Sequence, residues 1–228
     1  MWYVMTIKNL PQYERPREKL LHLGVEKLTN AELLAVMIGS GRSGLSALDL
    51  SHDLLARWQS LRSLFQISLT ELQQTPGVSE VLFCRLQASL ELSSRCLLES
   101  LKRDTVIDNP RTTRQFLMSR LRHLSHEVFA VMFLDNAHRL IEFEILFEGT
   151  INGASVYPRR VLERAMDWQA AAVIFAHNHP SGVAEPSQAD QSITKTLIQA
   201  LSLVDVRVLD HLIIGDSEAV SFAERGLI

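Results

Sequence analysis

From Glu14 to about Arg103, apolar residues recur every three or four positions between short polar breaks, which predicts a run of helices. A first helix has Pro16 near its start and Gly24 at its end, and a second is capped by Thr29 or Asn30 and stops at the Gly39 to Gly44 loop. A third covers Ala47 to Trp58, a short one begins at Leu61, and two more are joined by T-P-G-V-S at residues 75–79. The period fails around Lys102 to Asn109, where K-R-D-T-V-I-D-N-P reads as a linker or an edge strand. Pro110 to Leu121 is again helical, and after it two runs rich in aromatic and β-branched residues flank the turn D-N-A-H as a β-hairpin. An amphipathic helix over Tyr157 to Trp168, a strand over Ala171 to Ala176, a helix over Gln188 to Leu203, the strand V-R-V-L-D-H-L-I-I-G and a last short strand or turn complete the pattern. The expectation is an all-α domain over residues 1–103 followed by an α/β domain with a mixed sheet over 104–228.

Composition changes this picture little. Of 228 residues, 46% are apolar and 21% charged, which is ordinary for a globular chain. The start M-W-Y-V-M-T-I-K-N-L-P lacks a basic segment followed by a clean apolar run, and no stretch approaches a membrane span, so a cytoplasmic location is expected. Cys84 and Cys96 sit in one predicted helix, roughly 18 Å apart at 1.5 Å per residue, too far to pair with each other. Residues 1–104 hold 12 Lys and Arg against 11 Asp and Glu, and residues 105–228 hold 11 against 15. Neither half has the basic surface of an avid nucleic-acid binder.

The candidate chemistry is concentrated in A-A-V-I-F-A-H-N-H-P-S-G-V-A-E-P-S-Q-A-D, residues 171–190. Side chains alternate along an extended segment, so His177 and His179 point one way and Asn178 the other. Pro186 is suited to the first turn of the next helix, and Ser187 and Asp190, three apart, lie on one face of that turn. Two imidazoles and a carboxylate suit a zinc ion that keeps its fourth position for water, as catalytic sites do. No second Cys/His cluster is present, so one zinc per chain is expected. A metallo-β-lactamase pattern would want Asp and His at 181 and 182, where this chain has Ser181 and Gly182.

The string H-x-H-P-(x)6-S-x-x-D resembles the metal motif of JAMM/MPN metalloprotease domains. That resemblance implies that His177, His179 and Asp190 hold zinc and that Ser187 helps stabilise a tetrahedral intermediate. It also implies a general base on an early strand, which matches Glu127 at the start of E-V-F-A-V-M-F-L. Glu142, Glu144 and Glu148 are rivals on or after the second hairpin strand. From about Glu14 onward the chain is similar to bacterial RadC-family proteins, through R-P-R-E-K-L-L, A-E-L-L-A-V-M-I-G-S-G, F-E-G-T-I-N-G-A-S-V-Y-P-R-R-V, H-N-H-P-S-G and L-D-H-L-I-I-G. The joint T-P-G-V-S resembles a helix-hairpin-helix, a module that offers backbone N–H groups to DNA phosphates, but Ser79 replaces its second glycine. A serine would enter at a conformational cost if its φ had to be positive.

The family resemblance implies a JAMM/MPN fold and a zinc-dependent hydrolase-like site, and the expected reaction is hydrolysis of an amide, peptide or isopeptide, in an unidentified peptide or protein substrate; the net charge of only +1 over residues 1–104 and the degenerate hairpin predict weak DNA binding by the first half. A second reading also stays open: a DNA-repair-associated accessory protein that binds nucleic acid or protein and keeps a structural or vestigial metal site. His211, in L-D-H-L, reads as a buried structural histidine or one that supports the metal ligands.

Overall fold

A computed structural model of the chain describes residues 7, 10–42, 44–103, 110–149 and 156–228, the side chains of residues 100, 102 and 103 excepted. The linker or edge strand expected before Pro110 lies outside the described residues from 104 onward, as does the 150–155 part of the F-E-G-T-I-N-G-A-S-V segment. The chain forms two compact units, Met1–Glu91 and Leu92–Ile228.

The first unit holds α1 (Pro16–Leu23), α2 (Asn30–Ile38), α3 (Ala47–Trp58), α4 (Leu61–Gln66), α5 (Leu69–Gln73) and the beginning of α6 (Glu80–Arg103). Three of these helices start where the sequence supplies a reciprocal cap: Thr29 with Glu32, Ser46 with Asp49, and Ser68 with Glu71. Each pair satisfies N–H groups that the helix itself leaves without acceptors. The core is almost wholly leucine, with Leu34, Leu50, Leu54, Leu64, Leu72 and Leu86 buried together. In the turn between α5 and α6 the left-handed residue is Gly77, at φ +87°. Ser79 is not among the non-glycine residues with positive φ, so serine enters this hairpin without the strain that the missing glycine suggested.

The second unit contains α7 (Pro110–Leu121), β1 (Val128–Leu134), β2 (Leu140–Glu148), α8 (Pro158–Asp167), β3 (Ala172–Asn178), α9 (Gln188–Ser202), β4 (Arg207–Ile214) and β5 (Ala219–Ser221). The strands form one sheet in the order β2-β1-β3-β4-β5. Among the described residues only β3 and β4 pair in parallel, through the crossover that includes α9, so the sheet is mixed as the alternating pattern predicts. Both faces are covered. Val128, Ala130, Met132 and Leu134 pack with Phe116, Leu117 and Leu121 of α7 and Leu101 of α6, whereas Phe129, Val131 and Phe133 pack with Val161 of α8 and Leu197 of α9. That double burial explains why β1 reads as a continuous apolar run rather than an alternating one.

Two local expectations shift, while His211 lies inside β4, within the strand expected over V-R-V-L-D-H-L-I-I-G. β3 extends through His177 to Asn178, because β4 continues beside it and pairs Asn178 with Ile214. Ser187 is the N-cap of α9, so Pro186 precedes the helix instead of occupying its first turn.

Candidate metal centre

β3 is the central strand of the sheet, and it carries His177, only 2% exposed, on the face covered by α9. His179 follows one step beyond the strand, where its N–H still bonds the Ile214 carbonyl at 2.9 Å and so extends the parallel ladder. The chain then turns at Gly182, whose φ of +85° suits glycine and where an added Cβ would lie 2.4 Å from Asp216 Oδ2. This turn leads to Ser187 and the first turn of α9. Ser187 Oγ accepts the Asp190 N–H at 3.1 Å, and Asp190 Oδ2 accepts the Ser187 N–H at 2.7 Å. A helix start thereby fixes the carboxylate.

His177, His179 and Asp190 converge, with one ligand atom from each within 4.8 Å of the others. His177 Nε2 lies 3.0 Å from His179 Nε2 and 3.2 Å from Asp190 Oδ1, and His179 Nε2 lies 3.6 Å from Asp190 Oδ2. Tetrahedral zinc with donors at 2.0–2.1 Å holds them roughly 3.3 Å apart, and the three separations bracket that value. His179 Nδ1 is 2.7 Å from the Val183 carbonyl, which only accepts, so the proton of a neutral His179 sits on Nδ1 and Nε2 offers a lone pair. The group fits a JAMM-type zinc site.

The electrostatics agree with a site built for a cation. Burial alone would push the Asp190 carboxyl up, yet bonds with His177 and His179, the field of His177 and the Ser187 side chain hold it far below the usual carboxylate range. His179 is raised, chiefly by its bond with Asp190 and against partial burial, with a smaller pull from Glu127. His211 is driven well below the ordinary histidine value, first by complete burial and then by the field of His177.

Glu127 stands immediately before β1 and is partly buried. The antiparallel register sets Phe129 opposite His177, and Glu127, two residues before Phe129, lies near enough to His179 for its charge to raise that imidazole. Its backbone is held on both sides. The Glu127 carbonyl accepts the Gly149 N–H at 2.7 Å. Asn178, 1% exposed, accepts the Val128 N–H at 2.8 Å and donates to the His126 carbonyl at 3.0 Å. Ser187 is exposed beside Asp190, accepting its N–H, and its side chain also helps to hold the Asp190 carboxyl down. The rival Glu144 is occupied elsewhere, bonded to Arg164 and to Trp168 Nε1. Glu142 accepts its neighbour's N–H at Phe143, and Glu148 lies 3.9 Å from His126.

Sequence reasoning missed the part played by Asn178, whose direction away from the histidines was plain but whose partners were not. The Ser187–Asp190 cap was in principle legible, since a serine three residues before an acid is a helix-start signature.

Residues 107–227 match the family described as RadC-like JAB domain, and residues 7–84 match the one described as UPF0758 N-terminal. Among curated proteins, the UPF0758 protein of Nitrosococcus oceani is 53% identical over 98% of this chain and all of its own length. That of Vibrio campbellii is likewise 53% identical over 98% of this chain and all of its own, and that of Stutzerimonas stutzeri 52% identical over 97% of this chain and 99% of its own. No described helix is long and apolar enough to cross a membrane.

Proposed function

The chain belongs to the UPF0758 family and carries a RadC-like JAB domain, and on that footing we propose that it is a zinc-dependent hydrolase of amide bonds, acting on a peptide or isopeptide. The observation that carries the reading is the convergence of His177 Nε2, His179 Nε2 and an Asp190 carboxylate, with Glu127 near enough to act on His179 through its charge. His177, His179 and Asp190 would hold one zinc ion. When bound, the ion supplies a Lewis acid and a water that ionises near pH 7.

The chain's own residues do the rest. Glu127 takes the proton of the attacking water and delivers it to the leaving amine, a role that typically contributes about 10² to 10⁴ in rate. Ser187 donates its hydroxyl proton to the oxyanion as the carbonyl becomes tetrahedral, worth roughly 3 kcal/mol in comparable sites. Asn178 keeps Glu127 in register by clasping the residues on either side of it. The substrate is a peptide or protein, and residues 1–103 bind DNA weakly at most, since their charge is nearly balanced.

The test is elemental analysis of the purified protein together with a screen for peptidase activity. About one zinc per chain with turnover of an amide substrate is expected. A chelator-washed protein that takes up no zinc at neutral pH, or an Asp190→Ala variant that binds it as tightly as the parent, would overturn the reading.

A further inference from the structure

Beside β3, the parallel strand β4 places His211 next to His177, fully buried and ringed by Phe129, Phe175 and Phe222 at centroid distances of 5.5, 5.8 and 4.8 Å. Its two nitrogens nevertheless both have partners. Nε2 is 2.9 Å from His177 Nδ1, and Nδ1 is 2.6 Å from Thr194 Oγ1. Thr194, 1% exposed, sits one turn along α9 from Asp190, with its Oγ1 2.5 Å from the Asp190 carbonyl oxygen.

The direction of this chain of bonds can be deduced from its far end. A carbonyl oxygen only accepts, so the Thr194 hydroxyl proton goes to Asp190. The hydroxyl oxygen then accepts from His211, which puts a proton on His211 Nδ1. A neutral imidazole carries one N–H, so His211 Nε2 presents a lone pair and His177 Nδ1 is the donor to it. A neutral His177 is left with its free lone pair on Nε2, the atom that faces His179 and Asp190.

We infer that His211 and Thr194 are positioning residues, which fix His177 in its Nδ1–H form and tie its ring to the helix that carries Asp190. The inference rests on the reading of His177 and Asp190 as metal ligands. A phenylalanine at 211 would fill the same aromatic surroundings without polar atoms to desolvate, so packing does not require an imidazole there. The polar chain links a ligand on the sheet to a ligand on the helix, and its anchor is a backbone carbonyl that cannot reverse.

The experiment compares the full-length parent with His211→Phe, Thr194→Val and Thr194→Ser, measuring zinc affinity by competition against a chelator at neutral pH. Removing such an outer partner typically weakens metal binding about 10- to 100-fold. That loss is expected for His211→Phe and Thr194→Val, with Thr194→Ser near the parent. Ring ¹⁵N spectra of the metal-free parent supply the readout that a merely structural role would not move: both His177 and His211 are expected as Nδ1–H tautomers. Finding either as Nε2–H, or parental zinc affinity in both His211→Phe and Thr194→Val, overturns the inference. If His211→Phe does not fold, the threonine pair and the spectra decide. If the parent itself takes up no zinc, the metal reading fails, while the tautomers still test the directed chain.

Discussion

Two buried polar side chains of the helical unit, Ser51 and Thr75, each bond within 18 positions: Ser51 donates to the Ala47 carbonyl one turn back in α3, and Thr75 accepts from Arg57, 18 positions earlier. In the sheet unit His177, Asn178, Thr194 and His211 are all buried and gathered around the end of β3. Two of the bonds there span far more of the chain, Asn178 to Val128 across 50 positions and His177 to His211 across 34. Burying polar groups without a partner is costly, and a leucine core such as that of the helical unit shows how a fold avoids it. A cluster built at long range against that cost marks the place where the molecule does more than fold.

The comparison is broken most sharply by separating chemistry from architecture. Glu127→Gln is expected to lower turnover about 10²- to 10⁴-fold while zinc stays at the parental level, because glutamine keeps the volume but takes no proton at neutral pH. Steady-state rates on the substrate found in the screen, measured beside metal content, check this. Parental turnover would shift attention to Glu142, Glu144 and Glu148. Leu54→Ala, in the helical core, is expected to cost about 2–5 kcal/mol of stability, read by urea unfolding, with zinc uptake by the folded protein unchanged. Asn178→Ala should cost about 1–3 kcal/mol, since the Val128 N–H is left buried and unpaired. Unlike the leucine change, it should also lower turnover by loosening Glu127. If Leu54→Ala altered zinc affinity as much as a change at Asn178 or His211, the contrast between the two units would not stand.

Smaller effects sharpen the same comparison. Ser68→Ala removes a purely local cap on α5 and is expected to cost about 1 kcal/mol, measured as a shift in thermal midpoint. Glu144 is held below its ordinary value chiefly by its bond with Arg164, against desolvation and with help from Trp168. A depressed carboxyl stabilises the fold above its unfolded value near 4.5 and loses that contribution as pH falls through the lower folded value. Stability should therefore be insensitive to this pair from pH 7 down to about 5 and decline below about 4.5. Glu144→Gln should flatten that acid-side decline by about 1 kcal/mol or less. Unfolding midpoints across the acid range, parent against variant, are the check.

What could be read from the sequence divides along the same line. The helix starts at Thr29, Ser46 and Ser68 were legible because a cap and its partner lie three residues apart. The hairpin, the mixed sheet and the three converging donors were legible because period and spacing are local signals, and H-x-H alternates in any strand. The role of Asn178 was not, because its partners lie at and just before the start of β1 and only the register of β1 against β3 brings them together. His211 could be recognised as buried, but its partnership with His177 needs the parallel register of β4, which no local pattern encodes. Ser79 looked strained by analogy, and only the backbone angles show that Gly77 alone takes the left-handed position in this turn.

The crossover through α9 also sets an order in time. β3 and β4 are parallel, so a hairpin cannot join them; the chain must cross over, here through α9, to bring their edges together. As the chain is made from its N-terminus, His177 and His179 emerge first, then Asp190 and Thr194, and His211 last. Closing that long connection must precede the contacts that reward it, which makes parallel pairing a slow event in folding. His211 can meet His177 only once β4 has paired beside β3, so the bond between these two histidines is a timestamp, recording that the C-terminal sheet has closed.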